Sequence, residues 1–445
     1  MQMVTRCIVR NFSLAILLIF SIWLYIFFVS SYDPQLHIVL GKNSKLRSSK
    51  EIEDVFNFLR LDSAALRNLC EKTEWNSDKV IFTCDNSIGG VGHIRNSILN
   101  CVRYSISAGA GLVIPRIILR NPKDISQIRT GERVSMAYMF DYFHFVDSLR
   151  YSCPQMNIYG YIDDVPNSNE GRGSITLLPE SLYSSPIPKT GLEHPENWRE
   201  LFEGWLDGYY YFATNGTMNM PVTVELGRSY LQYPIYSDGE EFALSFGGIL
   251  RFSENLRVLA TTVLQNMLST YNMSRDLSQP FLPDTFFGAH LRTEIDAMKN
   301  WSAEDWFYQR YEAQSIQYLK KLASTNLTLV YVASGNKSET ARLARDAAAY
   351  NVTTKWMLLD AKDRESLSRL SWDQQAIVDF LVMTKSSRFV GIGHSSFTWN
   401  IALQRHQFLE NNGDYLDGSE LLSDALSTVF GETGGHPEYA ACLWP

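Results

Sequence analysis

Apolar residues in the second half of the chain recur in short runs that are separated by longer segments with helical spacing. The short runs are rich in Val, Ile, Leu and Phe, and they predict strands at residues 285–291, 327–333, 355–359 and 389–393. The longer segments predict helices at residues 253–270, 303–323, 338–350, 373–385 and 395–405. This alternation of buried strands and helices is typical of a doubly wound parallel sheet.

The first half contains one clear unit of the same kind. An apolar strand, a small-residue loop, a helix and a second apolar strand follow one another at residues 79–84, 86–93, 95–108 and 111–115. The stretch from 120 to 245 is rich in Tyr, Pro and Gly, and its pattern predicts no strand order. Two such units in tandem predict an α/β protein of two Rossmann-like domains, at residues 79–250 and 251–445, with a ligand cleft between them.

A long uncharged run lies near the start of the chain. Residues 12–29 read FSLAILLIFSIWLYIFFV, and as a helix they extend roughly 27 Å, close to the thickness of an endoplasmic-reticulum bilayer. Arg6 and Arg10 precede the run and Asp33 follows it, so the positive-inside rule places the N-terminus in the cytosol. A cleaved signal peptide is the alternative, but its apolar core is usually shorter and ends at small residues, whereas this run ends in bulky aromatic residues.

The sequence therefore predicts a single transmembrane signal anchor at 12–30, preceded by a cytosolic tail at 1–11 and followed by a stem at 31–78. The remaining chain would lie in the lumen of the Golgi or endoplasmic reticulum, as in a type II membrane glycoprotein. Six N-x-S/T triplets are consistent with this location and begin at Asn215, Asn272, Asn300, Asn326, Asn336 and Asn351. The lumenal cysteines form an odd set, so at least one must stay free or pair with another chain: Cys70, Cys84, Cys101, Cys153 and Cys442.

Composition and charge narrow the classes of function. The chain of 445 residues is 45% hydrophobic and 13% aromatic, which suffices for two or three packed domains of ~100–200 residues each. Lys and Arg number 40 against 48 Asp and Glu, which gives a formal net charge of -8. Because the chain also lacks a dense basic block, this balance excludes a bulk nucleic-acid binder.

Three loops at the carboxyl ends of predicted strands contain the candidate chemistry, because ligands of open α/β sheets bind there. The first loop contains Gly90, Gly92 and His93. A glycine turn can bring backbone N–H groups close to a phosphate or a sugar. A tight turn before a helix is the simpler alternative.

The second loop contains Arg292, which follows a buried strand that also carries His290. The planar fork of a guanidinium suits a pyrophosphate. A structural ion pair between Arg292 and Glu294 or Asp296 is the alternative, and His290 alone is more often a core histidine than a catalyst.

The third loop ends a strand and begins a helix with successive hydroxyl groups. Ser395, Ser396 and Thr398 stand there with Phe397 between them, so helix N–H groups and side chains could converge on an anion. Ser395 as an ordinary N-cap is the alternative.

The sequence gives little indication of a metal site, because Asp163-Asp164 lacks a spaced D-x-D arrangement and no Cys/His cluster has zinc spacing.

Taken together, the three loops resemble the GDP-fucose-dependent fucosyltransferases, specifically the protein O-fucosyltransferase-like family, over about residues 80–410. The segment from His290 to Asp296 is similar to the family's H-L-R-x-E-x-D segment, and residues 331–334 are similar to the strand of its second motif. The segment from Ser395 to Arg405 matches its S-S-F-[ST]-x-x-I-x-x-x-R segment.

The resemblance implies a GT-B fold of two Rossmann-like domains and a metal-independent, inverting transfer from GDP-fucose to a hydroxyl of a protein or glycan. It implies that Arg292 holds the donor pyrophosphate, that the segment 395–398 binds the nucleotide and phosphates, and that Asp379 contacts the base or ribose. His93 stands where the family usually has an asparagine. We therefore consider His93 and Glu294 as alternative catalytic bases.

Two other functions remain open. A catalytically inactive, membrane-anchored carbohydrate- or nucleotide-binding protein would have the same fold, and the departure at the first loop is compatible with it. A GT-B transferase that uses another sugar nucleotide is the third possibility. Release of GDP from GDP-fucose distinguishes an enzyme from a binder, and a comparison of GDP, UDP and ADP binding distinguishes the donors.

Overall fold

Two largely parallel β-sheets, flanked by helices, form the body of the protein. The computed structural model describes residues 53–166, 174–214, 221–294, 296–297, 306–409 and 420–445. The predicted cytosolic tail and signal anchor, and the first part of the predicted stem, lie outside these residues. Within the described ranges, no helix is both long enough and apolar enough to cross a membrane.

The strands, numbered in chain order, are β1 (Val80–Thr83), β2 (Gly111–Val113), β3 (Arg116–Ile118), β4 (Arg133–Ser135), β5 (Ile158–Tyr159), β6 (Ile175–Leu177), β7 (Val222–Leu226), β8 (Phe287–His290), β9 (Leu329–Ala333), β10 (Asn351–Thr353), β11 (Arg388–Ile392), β12 (Glu420–Ser423) and β13 (Ser427–Phe430). The helices are α1 (Ala64–Lys72), α2 (Val91–Ala108), α3 (Tyr142–Ser152), α4 (Trp198–Thr214), α5 (Glu240–Phe246), α6 (Glu254–Thr270), α7 (Trp306–Gln309), α8 (Tyr311–Ala323), α9 (Lys337–Asp346), α10 (Lys355–Leu358), α11 (Ala361–Ser368), α12 (Trp372–Thr384), α13 (Ser396–His406) and α14 (Pro437–Cys442).

The first sheet has the strand order β5-β2-β1-β7-β6, and all of its neighbouring strands are parallel. Every residue of β1 and β2 is buried. Because successive side chains point to opposite faces of a sheet, uninterrupted burial means that both faces are covered. A separate antiparallel pair, β3 and β4, follows β2 in the chain.

The second sheet has the strand order β10-β9-β8-β11-β13-β12, and only β12 is antiparallel to its neighbour. From β8 the chain proceeds outward through β9 and β10, and after β11 it continues on the other side, first to the edge strand β12 and then back to β13. The strand order therefore reverses between β8 and β11, and open α/β sheets bind their ligands beside such a reversal. The predicted α/β class with parallel sheets is confirmed.

Local side-chain chemistry fixes where several helices of the second half begin. Ser371 and Gln374 form a reciprocal capping box at the start of α12. Asn336 accepts a hydrogen bond from the backbone of Glu339 at the start of α9. At Ser253, in contrast, the predicted cap is in the right place, but its side chain makes no capping hydrogen bond.

One predicted strand is wrong. Residues 355–359 were expected to extend in the sheet, but Lys355–Leu358 is the helix α10, and the strand that pairs with β9 is Asn351–Thr353. Lys355 is buried and donates hydrogen bonds to the Gln375 carbonyl and the Asp379 carboxylate. These long-range partners, which no local pattern reveals, satisfy its charge in the helical conformation.

Two predicted helices have different bounds in the structure. The helix expected at 303–323 is divided at Arg310 into α7 and α8, and residues 301–305 lie outside the described ranges. The helix expected from residue 95 already begins at Val91, with Gly90 as its N-cap. His93 is therefore part of the first turn of α2 rather than of a loop.

The body of the protein begins before residue 79, where the sequence placed the end of a stem. Phe56, Leu66 and Cys70 are buried in the hydrophobic core, and Cys70 forms a disulfide with Cys153 of the first half. A second disulfide joins Cys84 to Cys101, and Cys442 is a buried free cysteine. The described part of the predicted stem is thus integrated into the fold.

The last residues of the chain return from the second sheet to the first half. Trp444 is fully buried, and its indole donates a hydrogen bond to Asn100 of α2. The Arg95 guanidinium donates to the carbonyl groups of Trp444 and Pro445 at 2.5 Å each. The same guanidinium donates to Asn400 of α13 at 3.2 Å, so α2, α13 and the last residues are held together.

Helices α2 and α13 approach each other closely at Gly92. A Cβ atom on Gly92 would lie 2.7 Å from the Ser396 carbonyl oxygen and 2.6 Å from the Asn400 amide nitrogen. Gly92 therefore permits the packing of these two helices, and any side chain there would separate them.

We predict that Gly92→Ala lowers the unfolding free energy by ~1–3 kcal/mol, because backbone atoms of α13 cannot yield to the new methyl group. Gly90→Ala is the matched control, since a Cβ atom there meets nothing within 4 Å, and we expect a change below about 0.5 kcal/mol. Denaturant unfolding of both variants measures the difference. Equal stability of the two variants would contradict the proposed packing role.

Candidate active site

A cavity of about 1100 Å³ lies at the carboxyl ends of the central strands. Its wall includes the start of α2 from the first half and the loops that follow β8 and β11 of the second sheet. Since β8 and β11 flank the reversal of strand order, their loops diverge at this point and leave room for a ligand. The predicted site residues that line the cavity are Gly90, His93, His290, Arg292, Glu294, Asp379, Ser395, Ser396 and Phe397.

Arg292 is held in the cavity wall by carboxylates of its own loop. Its Nη1 donates to Glu294 Oε2 at 2.6 Å and to Asp296 Oδ1 at 2.9 Å, and its Nη2 donates to Asp296 Oδ2 at 2.7 Å. Burial opposes the charged form, but the two carboxylates outweigh it and raise the pKa of Arg292 above its ordinary value. The structural ion pair that the sequence left as an alternative is present, and the charged side chain still lines the cavity.

Glu294 connects two loops and is poorly suited to act as a base. Besides accepting from Arg292, it accepts hydrogen bonds at Oε1 from the Gly335 N–H at 2.6 Å and from the Ser334 hydroxyl at 3.3 Å. Burial favours its neutral form, but Arg292 outweighs this effect and lowers the pKa of Glu294. Both carboxylate oxygens are thus engaged, and the group holds a proton weakly.

His93 lines the cavity from the first turn of α2. Its ring packs edge-on against Tyr230 with 4.6 Å between the ring centroids, and its Nε2 lies 3.5 Å from the Tyr439 hydroxyl. Burial, together with the positive charges of Arg228, Arg120 and Arg292, lowers the pKa of His93 to about 3. Its imidazole is therefore neutral near neutral pH.

The amino end of α13 forms another part of the wall. Ser395 occupies the N-cap position with extended backbone, but its side chain makes no capping hydrogen bond. Ser395, Ser396 and Phe397 all line the cavity. The first N–H groups of a helix have no intrahelical acceptor and carry a partial positive charge, so this wall is suited to an anion.

Two predicted donor-binding residues do not line the cavity. Thr398 is fully buried, and its hydroxyl lies 2.8 Å from His290 Nδ1, where it fixes the imidazole ring. Burial lowers the pKa of His290 to about 3, so this histidine is neutral and partnered. Gly92 faces α13 instead of the cavity, as its contacts above require. Thr398 and Gly92 thus position residues that line the cavity and do not line it themselves.

Asp379 lines the cavity as part of a buried polar group. Its carboxylate pairs with Lys355 and accepts a hydrogen bond from the Tyr331 hydroxyl at 2.7 Å. Burial raises the pKa of Asp379 in spite of the neighbouring ammonium group. The sequence missed Lys355 because it lies in the segment that was predicted as a strand.

Arg120 and Asp373 are further charged groups of the site that the sequence analysis missed. Arg120 lines the cavity from the loop between β3 and β4, and it lies 3.3 Å from carboxylate oxygens of both Asp296 and Asp373. Its guanidinium stacks on the Trp372 ring at 4.9 Å. Trp372 and Asp373 begin a predicted helix, but nothing in the chain pattern connects them to residue 120.

The described residues contain no group of three or more His, Cys, Asp or Glu side chains that could hold a metal ion. Each cavity carboxylate discussed above instead has a basic side chain within ion-pair distance. The absence of a metal from the reaction stays a prediction.

The parallel α/β fold, with an arginine and a helix amino end in the wall of one cavity, is typical of α/β proteins that bind nucleotides. A family model described as GDP-fucose protein O-fucosyltransferase matches residues 80–408. Because this match spans most of the sequence, the chain belongs to the GDP-fucose protein O-fucosyltransferase family, and it is a fucosyltransferase.

Solved structures of fucosyltransferases are similar to this chain at low identity. POFUT1 in complex with GDP is 13% identical with a TM-score of 0.44, and the match covers 80% of this chain and 100% of that chain. A variant of Arabidopsis thaliana FUT1 in complex with GDP is 13% identical with a TM-score of 0.36, covering 77% and 71%. NodZ from Bradyrhizobium is 11% identical with a TM-score of 0.37, covering 75% and 92%. No curated protein matches the sequence significantly.

We predict that the unfolding free energy of Asp373→Asn, relative to that of the wild type, increases as the pH rises. Burial raises the pKa of Asp373 to about 6 in the folded protein, so the folded state binds this proton more tightly than the unfolded chain does. Ionisation of Asp373 therefore costs stability as the pH rises towards and through about 6. The difference in unfolding free energy between the variant and the wild type should shift by ~1–3 kcal/mol in favour of the variant when the pH is raised from about 4.5 to about 8.

Denaturant unfolding at both pH values measures this gain. Asp163→Asn, at an exposed position, is the control for removing one negative charge. An identical pH dependence of stability in the wild type and the Asp373 variant would show that Asp373 is not a buried ionisable group.

Proposed function

We propose that this protein is a membrane-anchored, lumenal, inverting fucosyltransferase that transfers fucose from GDP-fucose to a hydroxyl group of a protein or glycan. The observation that carries the proposal is that Arg292 and the amino end of α13 line one cavity at the reversal of strand order, in a chain of this family. The donor, the acceptor class and the location are inferences from this arrangement and from the sequence.

Donor binding follows from the charges of the wall. The guanidinium of Arg292 and the N–H groups at the start of α13 both favour the diphosphate of GDP-fucose. Their positive charge also stabilises the negative charge that develops on the leaving GDP. Because Glu294 and Asp296 fix Arg292 before the donor binds, little reorganisation is needed in the reaction.

The proposed transfer balances without a cofactor. The acceptor oxygen attacks C1 of fucose, the bond between C1 and the β-phosphate oxygen breaks, and GDP leaves with the electron pair. The acceptor proton passes to a base on the protein. Attack from the side opposite to GDP inverts the configuration at C1.

His93 is the better of the two predicted bases. Glu294 has both oxygens engaged and a lowered pKa, whereas the neutral imidazole of His93 can accept a proton. Burial is the largest cause of the lowered pKa of His93, and the charges of Arg228, Arg120 and Arg292 lower it further. A bound diphosphate beside these arginines would offset their charge and raise the pKa of His93 towards the range where it works as a base.

Three features support the lumenal location. The uncharged run at 12–29 has the length of a membrane span. The two disulfides are of the kind that persists in oxidising compartments. Three of the N-x-S/T asparagines, Asn272, Asn326 and Asn351, are exposed on the described surface.

The other three N-x-S/T triplets differ from these in their surroundings or lie outside the described residues. Asn336 donates a hydrogen bond to the Thr293 carbonyl at 3.2 Å and caps α9 beside the cavity, so a glycan there would disturb the site. Asn215 and Asn300 lie outside the described residues. We therefore expect glycans at the exposed positions and not at Asn336.

We predict that Arg292→Ala abolishes detectable transfer and weakens binding of GDP by at least about tenfold, because the guanidinium carries the charge that faces the diphosphate. Arg292→Lys should restore only part of the affinity, since an ammonium lacks the planar fork. Calorimetric titration with GDP and GDP release from GDP-fucose measure these effects. Arg369→Ala, in an exposed ion pair with Glu365, is the matched control.

A folded Arg292→Ala protein with wild-type GDP affinity would contradict this role. If the wild type binds UDP or ADP in preference to GDP, the donor assignment is wrong. If it binds GDP-fucose but releases no GDP even with added acceptors, the protein is a binder and not a transferase.

We predict that His93→Gln lowers kcat for GDP release from GDP-fucose by about 10²-fold or more, because the amide cannot accept the acceptor proton. The dissociation constant for GDP-fucose should stay within about threefold of the wild type. Steady-state kinetics and calorimetry separate the two quantities. A loss of donor affinity with unchanged kcat would assign His93 to binding and refute its role as the base.

A further inference from the structure

Arg120 reaches from the first half of the protein into the wall of the cavity. It lies in the loop between β3 and β4, in the stretch for which the sequence predicted no strand order. Its side chain is only 8% exposed, and it lines the same cavity as Arg292 and Ser395. A buried arginine at this place needs anionic partners.

The partners of Arg120 connect it to Arg292. Arg120 Nη1 lies 3.3 Å from Asp296 Oδ2, the same oxygen to which Arg292 Nη2 donates at 2.7 Å. Both guanidiniums also lie over the Trp372 ring, Arg120 at 4.9 Å and Arg292 at 5.9 Å from its centre. Two guanidiniums, one from each half of the protein, therefore flank a single carboxylate in the cavity wall.

The carboxylate contacts of Arg120 are longer than those of Arg292. Its two carboxylate contacts measure 3.3 Å, against 2.6–2.9 Å for the hydrogen bonds of Arg292. Its Nε is buried and lies 3.3 Å from Asp373 Oδ1 in an ion pair that does not have the geometry of a hydrogen bond, and neither atom has another hydrogen-bond partner among the described residues. The guanidinium is thus held in place while part of its hydrogen-bonding capacity remains unused.

We propose that Arg120 is a second diphosphate-binding residue, which the first half contributes to the donor site beside Arg292. This inference rests on the proposed function, because it assumes that the cavity binds a nucleoside diphosphate. A diphosphate presents oxygens on two phosphorus atoms, and two guanidiniums satisfy these oxygens better than one does. A phosphate oxygen beside Arg120 would add an acceptor to the two 3.3 Å carboxylate contacts that its guanidinium makes.

A purely structural role is the competing explanation. Arg120 Nη1 also donates to the Ile125 carbonyl, so the side chain orders its own loop. A structural residue would affect every ligand of the cavity alike and would lower the stability of the fold. A diphosphate-binding residue affects only ligands that carry the diphosphate.

The test compares GDP, GDP-fucose and guanosine as ligands of the full-length protein, by calorimetric titration. Arg120→Ala should weaken binding of GDP and of GDP-fucose by at least about tenfold and leave guanosine within about threefold of the wild type. Arg120→Lys keeps the charge and should give an intermediate affinity for GDP. Arg369→Ala, at the exposed pair with Glu365, should bind all three ligands as the wild type does.

Two outcomes would overturn the inference: wild-type affinity of Arg120→Ala for GDP, or an equal loss of affinity for guanosine and GDP. Thermal unfolding shows whether each variant folds. If Arg120→Ala does not fold, the affinities of Arg120→Lys for GDP and guanosine test the proposal instead. Failure of the wild type to bind GDP would refute the proposed function itself. The two failures are therefore distinguishable.

Discussion

The ion-pair cluster around Asp296 is the interaction on which the site depends. Burying charges is costly, and a buried ion pair contributes little net stability unless its geometry is good and its hydrogen bonds are complete. In this cluster Arg292 makes short hydrogen bonds to both of its acidic neighbours, and Asp296 is shared with Arg120 from the other half of the protein. The arrangement fixes two positive groups in the wall of a cavity before any ligand is present.

The packing of α2 against α13 forms another part of the cavity wall. Gly92 allows the two helices to touch, and Arg95 connects α2 both to Asn400 of α13 and to the last residues of the chain. As a consequence, His93 at the start of α2 and the amino end of α13 line one cavity. A helix dipole acts only within the first turn, so the site needs this close and rigid packing.

The sequence predicts the features that depend on neighbouring residues and misses those that depend on distant ones. The strands β8, β9 and β11 of the second sheet and the placement of Arg292 and Ser395 at strand ends follow from local periodicity, and the structure has them there, whereas β10, β12 and β13 were not predicted. The stretch that contains Arg120 has no such periodicity, and its partners Asp296 and Asp373 lie more than a hundred residues away. The helix at Lys355 was missed for the same reason, since its ammonium is satisfied by Asp379.

In the proposed mechanism, anion binding and proton transfer belong to one electrostatic system. In that mechanism Arg120 and Arg292 face the diphosphate, and burial, together with their charges and that of Arg228, holds the pKa of His93 low in the free protein. With a pKa of about 3, the His93 imidazole is a weak base in the free protein. A diphosphate beside Arg120 and Arg292 would offset their part of this shift, whereas the effect of burial, its largest cause, would remain. The charge of the donor would therefore strengthen the base when the fucose is in place.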